Sequence, residues 1–128
     1  RPIVDIEPNC SDCFDSKPLS NTQLIENVRL YLAEIERHYQ CKAIIYSGDA
    51  FYHTYLKGHF AENHFWLAAY NKNSHLSILV EDPFVIQKKE PIICWQFTPK
   101  ASVRGIKGDV DMNYLPGIYQ DSILIQER

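Results

Sequence analysis

The chain has 128 residues and a mass of 14.9 kDa, which is one domain's worth of polypeptide. Its hydrophobic fraction of 45% and charged fraction of 23% exclude a disordered or collagen-like chain. A net charge of −3 argues against a nucleic-acid footprint, and no apolar run approaches the ~18 residues of a membrane span.

Ile3 to Ile6 has strand character, because Ile3, Val4 and Ile6 are β-branched and Pro8 ends the run. The one methionine, Met112, is not first, and no charged-then-apolar leader precedes this strand. The expectation is a fragment, a processed product or a truncated gene product. Asn9 to Ser20 reads as a polar loop. Ser20-Asn21-Thr22-Gln23 then fits a capping box, with Leu19 and Leu24 placed for a hydrophobic staple. Leu24, Ile25, Val28, Leu32 and Ile35 form an apolar stripe at helical spacing, which predicts a helix ending near Tyr39.

Lys42 to Ser47 predicts a second strand, and Gly48 breaks it. A short helix from Asp49 to about Leu56 follows, ended by Gly58. His64 to Tyr70 predicts a third strand. Residues 78–87 are ambiguous, because Pro83 interrupts a strand-like run. Ile92 to Thr98 predicts a buried strand, Pro99 to Lys107 a loop, and Asp109 to Asn113 a last short strand. Ile123 to Ile125 fits an edge or a helix turn. The early strand–helix–strand order implies parallel pairing with right-handed crossovers, so the fold class is α/β.

Asp5 and Glu7 are two apart on a strand, so both leave one face while Val4 and Ile6 leave the other. Placed at the C-terminal end of a parallel strand, they sit where α/β barrels put catalytic groups. Two close carboxylates raise each other's cost of ionisation, so one can stay an acid while the other stays charged. That division of labour is what glycoside hydrolysis needs. The plainer alternative is a strand end carrying two solvated acids. Tyr46 and Tyr70 each close a strand that points toward this end, where aromatic faces offer sugars an apolar platform. Trp66 lies on one of the same strands. Gln96 alternates with Trp95, so one faces inward and one outward, and a glutamine in so apolar a strand needs a hydrogen-bond partner. Substrate and a neighbouring carboxylate both qualify. Barrel packing is the alternative for the aromatic residues.

Several segments together resemble the family 25 glycoside hydrolases, lysozymes that act as N-acetylmuramidases. They are Pro2-Ile3-Val4-Asp5-Ile6-Glu7, Ala43-Ile44-Ile45-Tyr46-Ser47-Gly48, Phe65-Trp66-Leu67-Ala68-Ala69-Tyr70, Trp95-Gln96-Phe97 and Gly105 through Asn113. The resemblance implies an irregular TIM-like (β/α) barrel of which residues 1–128 supply strands four to eight. Its first three or so strands, at ~30 residues per strand–helix unit, are then absent, together with an active-site aspartate. An unclosed barrel of this kind is expected to self-associate through its exposed edges. The resemblance also implies that Glu7 is the general acid and Asp5 its partner, with Asp111 a further active-site carboxylate. Asp109, in the same strand, is left as structural. Tyr46, Tyr70, Gln96 and Trp66 are the candidate substrate-binding residues.

The implied partner is the glycan strand of peptidoglycan at the bacterial cell wall, outside the cell or in the periplasm, with no metal or organic cofactor and no nucleic acid or membrane. Two other readings compete. One is a catalytically inactive remnant that at most binds glycan. The other is a redox or metal module built on Cys10-Ser11-Asp12-Cys13, although one C-x-x-C is half a zinc site and Cys41 and Cys94 do not supply the rest. Cys41 and Cys94 read as buried small hydrophobes, and the five histidines as surface or packing residues.

Overall fold

A computed structural model describes residues 1–8, 19–70 and 91–124. Five strands form its sheet: β1 (Ile3–Asp5), β2 (Ile44–Gly48), β3 (His64–Ala68), β4 (Ile92–Ala101) and β5 (Val110–Tyr114). They lie side by side in chain order. The first three pairings are parallel, and β5 returns antiparallel to β4. The α/β class therefore holds. Among the described residues the sheet runs open from β1 to β5 rather than closing on itself. The C-x-x-C pair, His75, Lys88-Lys89 and the ambiguous run at 78–87 lie outside the described residues.

Between β1 and β2 runs α1 (Asn21–Tyr39). The capping box forms as expected: the Ser20 hydroxyl accepts from the Gln23 amide, and the Gln23 side chain accepts from the Ser20 amide at 3.1 Å. Such a cap is worth about 1 kcal/mol. The helix ends when Gln40 turns left-handed, at φ 54°, with Arg37 and His38 in the last turn facing the negative end of the helix dipole. Ile25, Val28 and Leu32 are the buried stripe. Burying each is worth about 1.5–3 kcal/mol. The expected staple is lopsided, because Leu24 packs on the core while Leu19 is exposed.

Alternation divides the sheet into two faces. Val4, Ile45, Phe65, Leu67, Ile92 and Trp95 face α1 and form the main core with its stripe. Tyr52, Leu56 and Phe60, from the segment after β2, complete it. That segment is α2 (Asp49–Phe51) running into one π-helical turn, Tyr52–Leu56, where a single short helix was expected. On the other face a smaller cluster of Ile44, Ile93 and Tyr119 packs with Trp66, Cys94, Leu115 and Ile123. Tyr119 and Ile123 come from a 3-10 turn (Gly117–Tyr119) and α3 (Gln120–Ile123), so the tail takes the helical alternative. It covers the lower half of this face and leaves the upper half, at the C-terminal ends of the parallel strands, for the site.

β4 is longer than the pattern predicts and passes through Pro99 to Ala101. Its pairing with β5 shifts register twice, between Gln96 and Thr98 and between Thr98 and Ala101. Proline lacks the N–H that a regular ladder uses, and a bulge at an edge pairing accommodates it.

Candidate active site

The site face is built by register. Asp5 pairs with Tyr46, Tyr46 with Trp66, and Trp66 with Cys94. One layer higher, Gly48 pairs with Ala68, Ala68 with Gln96, and Gln96 with Asn113. The β1 ladder continues one residue past the strand. The Ile6 amide donates to the Tyr46 carbonyl at 2.9 Å, and the buried Ser47 hydroxyl donates to the Ile6 carbonyl at 2.7 Å. Those two bonds set Glu7 level with Gly48. The space between Glu7 and Gln96 is then bordered by a glycine and an alanine. A Cβ at Gly48 would meet nothing within 4 Å, so this part of the face is open.

Gln96 anchors the far side. It is 4% exposed, and its Oε1 accepts hydrogen bonds from the Tyr46 hydroxyl at 2.7 Å and the Tyr70 hydroxyl at 2.8 Å. Both lone pairs of the carbonyl oxygen are thereby used. The two tyrosines reach it from the ends of neighbouring strands, as their positions predict. The Tyr46 ring meets the Trp66 ring edge-on, with centroids 5.0 Å apart. The Trp66 indole N–H donates to Asn113 Oδ1 at 2.9 Å. A continuous polar and aromatic surface thus runs from β5 to β2, beside the two acids on β1. Trp95, as alternation requires, points the other way and donates to the Ala69 carbonyl at 2.8 Å.

The electrostatics separate the two acids. Partial burial, and then the neighbouring Asp5 charge, push the Glu7 carboxyl above the usual range. Tyr46 is pushed far above its ordinary value, first by burial and then by Tyr70 and Glu7. Its hydroxyl therefore remains a proton donor wherever the carboxylates are charged. Asp111 is exposed on β5, two residues from Asn113 and on the same face. Its strand runs Val110–Tyr114, one residue later than the expected Asp109–Asn113, so Asp109 stands outside it in the loop.

All seven candidate residues, Asp5, Glu7, Tyr46, Trp66, Tyr70, Gln96 and Asp111, thus belong to one face and one end of the sheet. The Gln96 carbonyl oxygen is satisfied by two tyrosines rather than by substrate or a carboxylate, which departs from the sequence expectation. Two further residues matter to the site. Ser47 carried a signal, since a buried hydroxyl in an apolar run needs an acceptor. Asn113 carried one only as part of its motif. Cys41 and Cys94 are half-buried free thiols rather than buried ones, and burial pushes the Cys94 thiol up to about 11. Hollows of about 350 and 360 Å³ lie elsewhere, along α1, and neither is lined by Asp5, Glu7 or Asp111.

Over 114 residues the chain is 32% identical to the uncharacterized protein YegX of Escherichia coli O6:H1 and of Escherichia coli K12, and the match covers 89% of this chain. It spans 38% of the length of those relatives. Among solved structures it superposes on a family 25 glycosyl hydrolase from Bacillus anthracis with a TM-score of 0.68 at 20% identity. That superposition covers 91% of this chain and 49% of the other. The spore cortex lytic enzyme SleM of Clostridium perfringens superposes with a TM-score of 0.61 at 21% identity, covering 90% of this chain and 36% of that one. At such identities the superpositions establish a shared fold. The profile of the glycosyl hydrolases family 25 matches residues 1–106, which takes in every candidate residue except Asp111. By that match, over most of its length, the chain belongs to glycosyl hydrolase family 25.

Proposed function

We propose that this chain carries the acid-bearing part of a lysozyme-type muramidase, which hydrolyses the β-1,4 bond between N-acetylmuramic acid and N-acetylglucosamine in peptidoglycan. The observation that carries the reading is the pairing of Asp5 and Glu7 beside the open face at Gly48, with Glu7 held above the usual carboxylate range. Glu7 protonates the glycosidic oxygen as the bond to the muramic acid carbon breaks. Asp5 supports the positive charge developing at that carbon. It does so by steadying attack from the substrate's own N-acetyl group, a recognised exception to the two-carboxylate scheme. Glu7, now ionised, then takes a proton from the water that opens the intermediate. Asp111 faces the same space from β5 and adds negative charge near the developing cation. Tyr46, Tyr70 and Trp66 offer ring faces and edges to the sugars, and Gln96 fixes the two tyrosine hydroxyls. In this reading the five strands are strands four to eight of an irregular (β/α) barrel, and the enzyme works at the bacterial cell wall.

A second reading is favoured by a different observation. Among the described residues β1 has one neighbour, so the acids stand at an open edge of the sheet. In that reading the face binds glycan without cleaving it. One experiment separates the two. Clearing of cell-wall suspensions is followed alongside co-sedimentation with purified walls. Clearing that Glu7→Gln lowers by about 10²–10⁴-fold, with sedimentation unchanged, supports the enzyme. Sedimentation without clearing, equal in both proteins, supports the binding module. Full clearing by Glu7→Gln removes Glu7 from the mechanism.

A further inference from the structure

β3 ends at Ala68, opposite Gln96, but β4 runs five residues further, to Ala101. Paired with β5, this extension is a two-stranded ribbon standing above the candidate site. From Thr98 to Gly108 it carries Lys100, Arg104 and Lys107 and no acidic residue, in a chain whose net charge is −3. All three cations are exposed. The ion pairs Arg37–Glu34, Lys42–Glu36, Lys42–Glu62 and His53–Asp49 all lie away from the ribbon.

The register shifts set the first of these cations across from Asp111. Thr98 pairs with Met112 and Ala101 with Val110, so Pro99 and Lys100 together oppose Asp111. The Lys100 amide is drawn out of the ladder to the Thr98 hydroxyl, at 3.1 Å. A bulge beside a site re-aims a side chain in this way. Beyond it, Gly105 and Gly108, with φ of 92° and 99°, turn the chain so that Arg104 and Lys107 stand on the hairpin tip.

An acidic face with a cationic border suits a ligand that is neutral where it is cut and anionic beside the cut. The muramic acid unit has this form, since its sugar is uncharged and its lactyl group bears a peptide with free carboxylates. We infer that the ribbon is a docking strip for those peptide carboxylates, with Lys100 nearest the scissile bond and Arg104 and Lys107 further along the strand. The inference rests on the glycan reading above and names the part of the polymer that reading leaves unassigned.

The test is co-sedimentation of this chain at low ionic strength with peptide-bearing glycan and with the same cross-linked glycan after its peptide carboxylates are converted to amides. Each is used with and without prior acid removal of phosphodiester polymers. Exposed ion pairs are individually weak, so the triple variant Lys100→Gln, Arg104→Gln, Lys107→Gln is expected to bind peptide-bearing glycan about three- to tenfold less tightly. It should bind the amide-converted glycan as the parent does. A charge-retaining triple, Lys100→Arg, Arg104→Lys, Lys107→Arg, should restore binding, and added salt should erase the difference. Equal binding of the parent to both glycans overturns the inference and leaves glycan recognition standing. An effect of the Gln triple that vanishes with the phosphodiester polymers overturns it in favour of phosphate. Binding to neither glycan overturns it together with the reading on which it rests.

Discussion

Two glutamates mark the two ends of the sheet, and their surroundings are opposite. Glu36 sits at the end of α1, below the N-terminal ends of β2 and β3. Its carboxylate takes the Lys42 ammonium at 3.0 Å, the Asn63 amide at 2.7 Å and the Ala43 amide at 3.1 Å. Burial alone would raise its pKa, but those three donors together outweigh burial and hold it below the ordinary range. Glu7, at the C-terminal end, is held above that range by partial burial and a like charge. The lower acid fastens a helix to two strands. In the proposed mechanism the upper acid is the one that gives up a proton. Closed (β/α) barrels divide their labour in the same way, with stability at the lower face and chemistry at the upper.

The contrast is broken most sharply by Glu7→Gln, for which wall clearing should fall by about 10²–10⁴-fold. Stability should not fall with it. The folded pKa of Glu7 lies above its unfolded value, so ionisation becomes a growing penalty as pH rises through that window. Glutamine has no such penalty, and thermal melts at neutral pH should show Glu7→Gln at least as stable as the parent. A lower melting temperature would place Glu7 with the structural acids.

Glu36→Ala is the converse experiment. It strands three donors, and urea unfolding at neutral pH should show a loss of about 2–3 kcal/mol. Here the sign is reversed. The folded pKa lies below the unfolded one, so the Glu36 contribution is complete above the ordinary carboxylate range and is lost as pH falls through the lowered value. The difference between parent and variant should shrink along that path. Glycan binding by the variant should remain at temperatures where it is folded.

Gln96→Leu removes the acceptor shared by Tyr46 and Tyr70. We expect a loss of about 1–2 kcal/mol in stability, with weaker glycan binding because both hydroxyls are released. Smallest is the effect of Asp5→Asn on Glu7. Removing the neighbouring charge lowers the Glu7 pKa, while the larger contribution of burial stays. An NMR titration should place Glu7 lower than in the parent but still above an ordinary glutamate. The alkaline limb of activity, which marks deprotonation of the acid, should move to lower pH by the same amount.

What could be read along the chain was what neighbours in sequence decide. The capping box at Ser20, the stripe of α1 and the common face of Asp5 and Glu7 all depend on residues within a few positions of one another. They came through intact. The Gln96 pairing did not, because it joins residues 50 and 26 positions apart and depends on the register of β2, β3 and β4. The Trp66–Asn113 bond spans 47 positions and was hidden for the same reason. Pro99 misled in another way. A proline ends most strands, yet an edge pairing can absorb it as a bulge, so β4 continues where a loop was expected. Strand alternation singles out Asp5 and Glu7, the resemblance adds Asp111, and the structure adds what lies across from them.

The strands stand in space in the order in which they stand in the chain. A ribosome releasing this sequence would therefore deliver each strand directly to the edge left by the previous one. Among the described strands none has to be inserted between two that are already paired. Docking can proceed by accretion, one strand at a time, as residues emerge at about 5–20 per second. The helix and turns that follow β1 and β2 have time to cover one face before β4 arrives. Of the described elements β5 and the helical turns after it come last, and they bring the Asn113 side chain that takes the Trp66 indole and the Tyr119 ring that packs beneath it. The aromatic wall of the site is thus completed only when β5 docks, after the other four strands described are in place.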